Sequence, residues 1–331
     1  MNWGGVLVFE NVVAVIVTYA NRGYFVEQTV HNARIAGIKN FVVVDNDSTI
    51  QSKIIIDSLN VNVITLPSNK GAAEGFKVGI LKAVSMLSAD FILLLDDDNV
   101  VQHDVVINLL DFWNSHRGVL FCLRYFDKDF LTKTDKELEL KQLEKDILNL
   151  NSYCYFSVDK MWSMIKGKFV HRKQNNRVYY ETVADAFGGM FFHKSVLEGA
   201  ELPDVSYVNY FADIKFSYGL WKKGHKLYLL PNCKVTDAER SLTNSEVKSY
   251  FSVSKILQNF HDQDEKKFYN GFFTRVKLEK DCLITNKTKY HLNKTIFNVL
   301  ILPLVSAYYV LKFKDINRMK LLRKAIKDGE K

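Results

Sequence analysis

The stretch Ala89-Asp90-Phe91-Ile92-Leu93-Leu94-Leu95-Asp96-Asp97-Asp98-Asn99-Val100 decides how the rest of the chain is read. An apolar run ends abruptly in three acids. A short apolar run bounded by polar residues is a strand buried on both faces of a sheet. Three carboxylates cannot share that interior without a cation, because an unpaired buried charge is costly. They belong where the strand leaves the sheet, and in open α/β sheets ligands bind at that carboxyl edge. Clustered carboxylates suit Mg²⁺ or Mn²⁺, ions that complete their shells with substrate phosphates. Two readings stay open here: a metal–diphosphate site, or a solvated acidic turn after a core strand.

Upstream, Val12-Val13-Ala14-Val15-Ile16-Val17-Thr18-Tyr19 is a β-branched strand closed by the turn Ala20-Asn21-Arg22-Gly23. A helix is predicted over 25–36, with Gly37 as its stop. A second strand over 40–45 finishes in Asp45-Asn46-Asp47-Ser48-Thr49, a helix follows over 54–59, and a third strand over 61–66 is closed by Pro67-Ser68-Asn69. Asn69-Lys70-Gly71-Ala72-Ala73-Glu74-Gly75 then opens a helix that reaches residue 87. Strands alternating with helices at this spacing make a parallel sheet. Its strand ends share one edge, so Tyr19 to Arg22, Asp45, Asn69 to Gly75 and Asp96 to Asp98 are expected around one crevice. No GxGxxG follows the first strand and no GxxxxGK[ST] occurs, which argues against a dinucleotide-binding dehydrogenase and a P-loop ATPase.

Downstream, a helix over 104–113 and a strand over 118–124 are predicted. The text changes over 126–178, with a charge-rich helical pattern at 133–150 and a basic loop at 171–177. That segment is an insertion over the crevice or a solvated amphipathic hairpin. Strand-like text returns at 179–184 and in Phe187-Gly188-Gly189-Met190-Phe191-Phe192-His193. Adjacent glycines let backbone come close to a ligand, or mark a bulge. Residues 210–221 read as a helix with Asp213 near its start, and a strand over 225–231 leads into Asn232-Cys233-Lys234-Val235-Thr236-Asp237.

The chain has 331 residues, 47% hydrophobic and 25% charged, the profile of a globular protein. Its cysteines, Cys122, Cys154, Cys233 and Cys282, form no CxxC pair. That argues against structural zinc or a disulfide framework and fits a reducing compartment. The first ten residues lack the basic start of a signal peptide. The formal net charge is +8 although the crevice is acidic, so the positive excess lies elsewhere, much of it in the last third. Residues 295–311 are strongly apolar and flanked by Lys294 and Lys312. They are short for a spanning helix, which needs about 20 residues, and Pro303 interrupts them. They suit an interfacial segment on anionic lipid, or a helix packed on the preceding domain or in a dimer.

Taken in order, Val17-Thr18-Tyr19-Ala20-Asn21-Arg22, Val44-Asp45-Asn46-Asp47-Ser48-Thr49, Asn69-Lys70-Gly71, Leu95-Asp96-Asp97-Asp98, Gly188-Gly189, Ala212-Asp213-Ile214 and the closing strand after Gly224 carry a resemblance. Over about 12–237 the chain resembles the inverting, nucleotide-sugar-dependent glycosyltransferases of family 2. The resemblance implies a GT-A fold: Rossmann-like α/β, a mostly parallel sheet flanked by helices, with a C-terminal helical extension. The catalytic domain would span 1–245, with 126–178 inserted, and the basic and apolar extension 246–331. Thr18 and Asp45 would meet the nucleotide base, with Tyr19, Arg22, Asn69, Gly71, Asp96 and Asp97 completing the donor pocket. Asp96 and Asp98 would be the outer acids of the DXD motif and hold Mn²⁺ or Mg²⁺. Asp213 would be the catalytic base, with Ala212 where the family usually has another acid, and Gly188, Gly189 and Ala212 on the acceptor side. Many members carry a metal-binding His after the closing strand; that slot holds Asp237 here.

The chemistry these parts suggest is direct displacement at an anomeric carbon. A divalent ion would stabilise the diphosphate leaving group, and an Asp base would deprotonate an acceptor hydroxyl. The acid triplet and the Ala-Asp-Ile-Lys-Phe segment look most like bacterial galactofuranosyltransferases, so UDP-galactofuranose is the favoured donor and dTDP-rhamnose the alternative. The acceptor would be a lipid-linked or growing surface glycan. The protein would be cytoplasmic and peripheral to the inner face of the plasma membrane, without nucleic acid and with room for a homo-oligomer. Two readings from other classes stand beside this one. A sugar-phosphate nucleotidyltransferase wants a Gly-rich triphosphate loop, for which Ala20-Asn21-Arg22-Gly23 is a poor match. A non-catalytic basic binding protein would lose affinity steeply with salt.

Overall fold

Strand β1 (Phe9–Ala20) is the centre of the first half of the molecule. Its Val12, Val13, Ala14, Val15 and Ile16 are all fully buried, as a β-branched run covered on both faces must be. The computed structural model describes residues 9–125, 151–159, 162, 178–208, 210–238 and 264–331. After β1 come α1 (Gly23–Ile35), β2 (Ile38–Ser48), α2 (Ile50–Ser58), β3 (Asn62–Thr65), α3 (Ala72–Ser85) and β4 (Phe91–Asp96). The four strands are parallel, in the order β3-β2-β1-β4. Register sets Thr18 opposite Asp45 and Val17 opposite Asp96, so the carboxyl ends of three strands stand level.

Helix α3 lies hard against the sheet. A Cβ on Gly75 would come 2.4 Å from Val17 Cγ1, and one on Gly79 2.4 Å from Val15 Cγ1. Gly75, expected at the crevice, is therefore a packing residue facing β1. The small residues after Gly71 serve close helix–sheet approach, which protein interiors fill without gaps.

The chain continues through β5 (Asn99–Val101), α4 (Val105–His116), β6 (Val119–Tyr125), β7 (Tyr180–Thr182), β8 (Met190–His193), α5 (Ala212–Lys222) and β9 (Leu227–Asp237). These strands extend the sheet as β4-β8-β6-β9-β5, with β7 also on β9. Strand β8 runs antiparallel to both β4 and β6. Just before it, Gly189 at φ +86° donates its N–H to Leu94 O (2.8 Å) and accepts from Cys122 N (2.9 Å). That left-handed backbone suits glycine, and a Cβ there would press to 2.8 Å from Cys122 Cβ.

Strand β9 outruns the expected 225–231 because Pro231 does not end it. Its pairing with β6 shifts between Cys122–Leu230 and Leu123–Lys234, so 231–233 bulge out. At a bulge the missing proline N–H costs no ladder bond. The strand then pairs with β5 and sets Asn99 opposite Asp237.

The described residues divide into two compact units: 9–125, 178–208 and 212–238 in one, and 151–159, 162, 210–211 and 264–331 in the other. Most of the expected insertion, 126–150, 160–161 and 163–177, lies outside the described residues. Its described part, 151–159, joins the C-terminal helices α6 (Glu265–Leu278), α7 (Lys287–Phe313) and α8 (Ile316–Gly329). Tyr153, Cys154 and Phe156 share an apolar core with Phe268, Phe272, Phe297 and Leu322. The buried Glu279 fixes that join: it accepts from Arg275 Nε (2.8 Å), Ser152 Oγ (2.7 Å) and the backbone N–H groups of Cys154 (2.6 Å) and Tyr155 (3.2 Å).

Helix α7 corrects the expectation of a short, interrupted segment. It runs unbroken for 27 residues and is, by length and composition alone, the one helix among the described residues able to cross a membrane. A wide π turn at Phe297–Ile301 ends two residues before Pro303. That wider turn makes room where the proline ring would otherwise strike the preceding carbonyl.

Candidate active site

The three acids at the end of β4 part company. Asp97 turns inward, where its carboxylate accepts from Arg22 Nε (2.7 Å) and Nη2 (2.8 Å) and from Thr18 Oγ1 (2.7 Å). Its backbone carbonyl accepts from Thr29 Oγ1 at 2.7 Å. The two-pronged guanidinium grip holds the start of α1 to the end of β4. Burial pushes the Asp97 carboxyl up even against Arg22. Thr18 and Arg22, expected in the donor pocket, thus both grip Asp97, and Thr18 is fully buried. The Arg22 guanidinium also lies over Phe25 (4.9 Å) and Tyr19 (5.6 Å), and Tyr19 is 43% exposed.

Asp96 and Asp237 are joined by residues from two other strands, β5 and β6. Asn99 accepts the Asp96 N–H at 2.9 Å and donates to Asp237 Oδ1 at 2.7 Å. Arg124, at the end of β6, donates to Asp237 Oδ2 at 2.9 Å and stands 3.1 Å from Asp96 Oδ2. Burial disfavours the Arg124 charge, but Asp96 and Asp237 outweigh it and hold the guanidinium charged. Asp237, expected as a third metal ligand, therefore has both oxygens taken. Its neighbour across the cluster, Asp98, faces the more distant Arg22 Nη2 at 3.5 Å among the described residues. Burial, then the charges of Asp237, Asp96 and Asp97, push Asp98 up to about 7.

These six groups test the fit of a divalent ion. Asp96, Asp97, Asp98 and Asp237 face two guanidiniums, Arg22 and Arg124, which leaves two negative charges. Among the described residues no three His, Cys, Asp or Glu side chains converge as a ready metal cage. Two carboxylates with substrate phosphates are the usual Mg²⁺ arrangement, so Asp96 and Asp98 fit as a partial set. Asp237 does not add to it while Arg124 holds it.

Asp213 comes to this cluster from the first turn of α5. It is partly buried, its Oδ1 accepts the Ile214 N–H at 2.8 Å, and burial pushes its carboxyl up to about 6. Asp96 and Asp185 push it the same way and Arg124 opposes them, so all four groups share one electrostatic neighbourhood. Ser217, one turn along α5, fixes the geometry. Its Oγ donates to Asp213 O (2.7 Å) and lies 3.0 Å from both the N–H and the carbonyl of Asp185. The loop so anchored leads to Gly188, where a Cβ would fall 2.5 Å from Asn99 Oδ1, 2.8 Å from Asp96 Oδ2 and 3.0 Å from Arg124 Cζ. Gly188 is thus pressed onto the acids, while Gly189 is spent on the sheet and Ala212 is buried.

A second group of polar residues gathers at the ends of β2 and β3. Asp45 is buried; its Oδ1 accepts the Ser48 N–H (2.7 Å), while Oδ2 has no hydrogen-bond partner among the described residues and Lys53 Nζ stands 3.7 Å away. A buried acceptor left open calls for a ligand or water donor. Asn46 Oδ1 accepts the Lys70 N–H (2.8 Å), and Asn69 Oδ1 accepts the Gly71 N–H (3.0 Å), shaping the loop before α3. Gly71, at φ +86°, would put a Cβ 2.1 Å from Val208 O.

The sequence reading did not single out Arg124, Asn99, Asp185 or Ser217 as site residues. Arg124 had a usable signal: one cation closing an apolar strand on the edge that carries the acids. The other three are ordinary polar residues whose partners are visible only in three dimensions.

A family model described as "Glycosyl transferase family 2" matches residues 14–199, more than half of the chain. No curated protein matches the sequence significantly. Among solved structures, a crystal structure of S. aureus TarS aligns with a TM-score of 0.51 at 11% identity, covering 95% of this chain and 55% of that one. The chain therefore spans about half the length of that protein. A crystal structure of GalNAc-T7 with UDP, GalNAc and Mn²⁺ aligns at 0.49 and 13% identity, covering 96% of this chain and 55% of that one. Residues 1-349 of S. aureus TarS align at 0.47 and 11% identity, over 96% of this chain and 92% of that one.

Proposed function

The chain belongs to glycosyl transferase family 2, whose members draw on nucleotide sugars, and has the GT-A fold; on that premise we propose that it transfers a sugar, with UDP-galactofuranose the favoured donor, to a hydroxyl of a lipid-linked or growing surface glycan with inversion. Nucleotidyl transfer falls away with that membership. The observation that carries the reading is the position of Asp213. A carboxyl held near 6 beside Asp96 is a base matched to neutral pH, and such a base is worth about 10²–10⁴-fold in rate.

Asp45, with its open Oδ2, would take an N–H of the nucleotide base, and Asn69 and the Gly71 turn would bound the same pocket. Asp96 and Asp98 would hold Mn²⁺ or Mg²⁺. When bound, that ion supplies Lewis-acid neutralisation of the diphosphate leaving group. Gly188, without a side chain, lets its backbone lie directly against Asn99, Asp96 and Arg124, where any side chain would push the acids aside. Asp213 would take the proton from the acceptor hydroxyl, and Ser217 keeps the backbone of Asp213 and Asp185 in step. One base and one displacement give inversion at the anomeric carbon.

A thermal-shift panel of UDP, GDP, dTDP, CMP and NAD, each with and without Mn²⁺, tests this. A ligand at about 100 times its Kd adds roughly 2.7 kcal/mol to the folded state. The expected result is a Mn²⁺-dependent shift with UDP. A shift with dTDP alone replaces the donor by a rhamnosyl nucleotide. Silence from every nucleotide overturns the proposal in favour of a non-catalytic binding protein.

A further inference from the structure

We propose that helix α7 is a membrane-docking surface that lies in the plane of an anionic bilayer. The proposal is independent of the donor reading. One face of α7 is fixed within its own unit. Tyr290, Phe297 and Val305 enter the apolar core. Asn293 donates to Asn151 O (2.7 Å) and accepts from Val158 N (3.0 Å), and Ser306 accepts from Arg323 Nη2 (3.2 Å).

The other face is apolar and exposed, with no cover among the described residues. Leu292, Val299, Leu300, Leu304 and Leu311 are 52%, 65%, 57%, 67% and 80% exposed, with Pro303 and Ala307 exposed among them. Their spacing puts them on one stripe. A contiguous apolar stripe on a soluble surface marks an interaction site.

Charge selects the occupant. Residues 287–331 contain eleven Lys and Arg against three Asp and Glu, a surplus equal to the +8 of the whole chain, so the remainder is neutral. Exposed Lys287 stands at one end of the stripe, and exposed Lys312 and Lys314 at the other. An anionic bilayer satisfies both features: acyl chains take the stripe and headgroup phosphates take the lysines. Nucleic acid offers phosphates but nothing for the leucines. A second copy of the chain would set basic ends against basic ends in either orientation. A crossing helix would have to strip Asn293 and Ser306 of their partners, which hydrocarbon cannot replace. The in-plane arrangement keeps those bonds.

The experiment is flotation of the full chain with vesicles of phosphatidylcholine alone and of phosphatidylcholine with phosphatidylglycerol in equal parts. The wild-type protein should float with the anionic vesicles and far less with the neutral ones. Leu300→Glu with Leu304→Glu alters only exposed side chains, so its melting temperature should hold. It should cut the partition coefficient on the order of a hundredfold. Lys312→Glu with Lys314→Glu should weaken only the anionic binding. Several results would overturn the proposal: no flotation of the wild type, equal flotation on both vesicles, or unchanged flotation of the leucine variant. A dimer that the leucine variant splits, without vesicle binding, assigns the stripe to a second copy instead. Retention that only detergent reverses assigns it to a spanning helix. The UDP thermal shift, run on the same variants, reads the catalytic proposal separately.

Discussion

Replacing Asp213 by asparagine separates two consequences of its burial. The carboxyl is raised from 3.8 to about 6, chiefly because burial disfavours its charge. The folded state therefore keeps the proton longer than the unfolded chain does. Stability from this group is greatest below about pH 4, falls as pH rises between about 4 and 6, and is fully lost above that window. At about 1.36 kcal/mol per pH unit, ionised Asp213 costs the folded state up to ~3 kcal/mol at neutral pH, and solvent screening at its exposed edge lowers that figure. Asparagine does not titrate, and its Oδ1 can still accept the Ile214 N–H. Asp213→Asn should therefore be more stable than the wild type at neutral pH by about 1–3 kcal/mol. Roughly 2–4 °C per kcal/mol is the scale for a domain of this size, and the gain should vanish near pH 4. Transfer should meanwhile drop by about 10²–10⁴-fold, and wild-type transfer should rise through about pH 6. Urea and thermal melts across that range, beside a transfer assay, read both effects. A variant less stable than wild type at every pH would refute the burial argument, and persistent transfer would remove Asp213 as the base.

Arg22→Ala leaves Asp97 buried without its guanidinium and should cost about 3–5 kcal/mol; Arg22→Ala with Asp97→Asn should melt higher than Arg22→Ala alone. Gly188→Ala forces Asn99 and Asp96 aside, which should cost about 1–3 kcal/mol as overpacking and abolish transfer; retained transfer would show that the loop moves freely. Asp45→Asn keeps the acceptor for Ser48 but turns the open acceptor into a donor, so calorimetry should find UDP binding at least about tenfold weaker with little change in melting. Asp98→Ala should erase the Mn²⁺-dependent part of UDP binding; binding that still responds to Mn²⁺ would place the ion elsewhere.

The first half of the sheet was readable because each parallel strand is a β-branched or leucine run that stops at a polar residue, and register does the rest. Two prolines misled for one reason. Pro231 and Pro303 are breakers in a regular ladder, yet a three-residue bulge and a π turn absorb them, and neither device has a sequence signature. The acids were readable because three of them are adjacent. Their partners were not, since Arg22 lies 75 residues from Asp97, Arg124 113 from Asp237, and Asn99 138 from Asp237. Gly75 was placed at the crevice by its neighbours in sequence, whereas the close approach of Val17 explains it.

Asp237 and Arg124 are best understood as one feature. The resemblance led to a neutral histidine in the slot that Asp237 fills, and an acid there adds a negative charge to a cluster already rich in them. Arg124 returns that charge through Asp237 Oδ2 and leans on Asp96 as well. The pair contributes nothing to the net charge, so the negative excess of the cluster comes from Asp96, Asp97, Asp98 and Asp213 set against Arg22. Its consequence is positional. With Asp237 closed, the carboxylates left for an ion are Asp98 and the Asp96 oxygen that Arg124 does not face, both at the end of β4. Arg124→Met should then release Asp237, raise the local negative charge by one, and strengthen Mn²⁺ binding measured by titration in the absence of nucleotide. Unchanged or weaker Mn²⁺ binding in a folded variant would show that the ion does not sense this cluster.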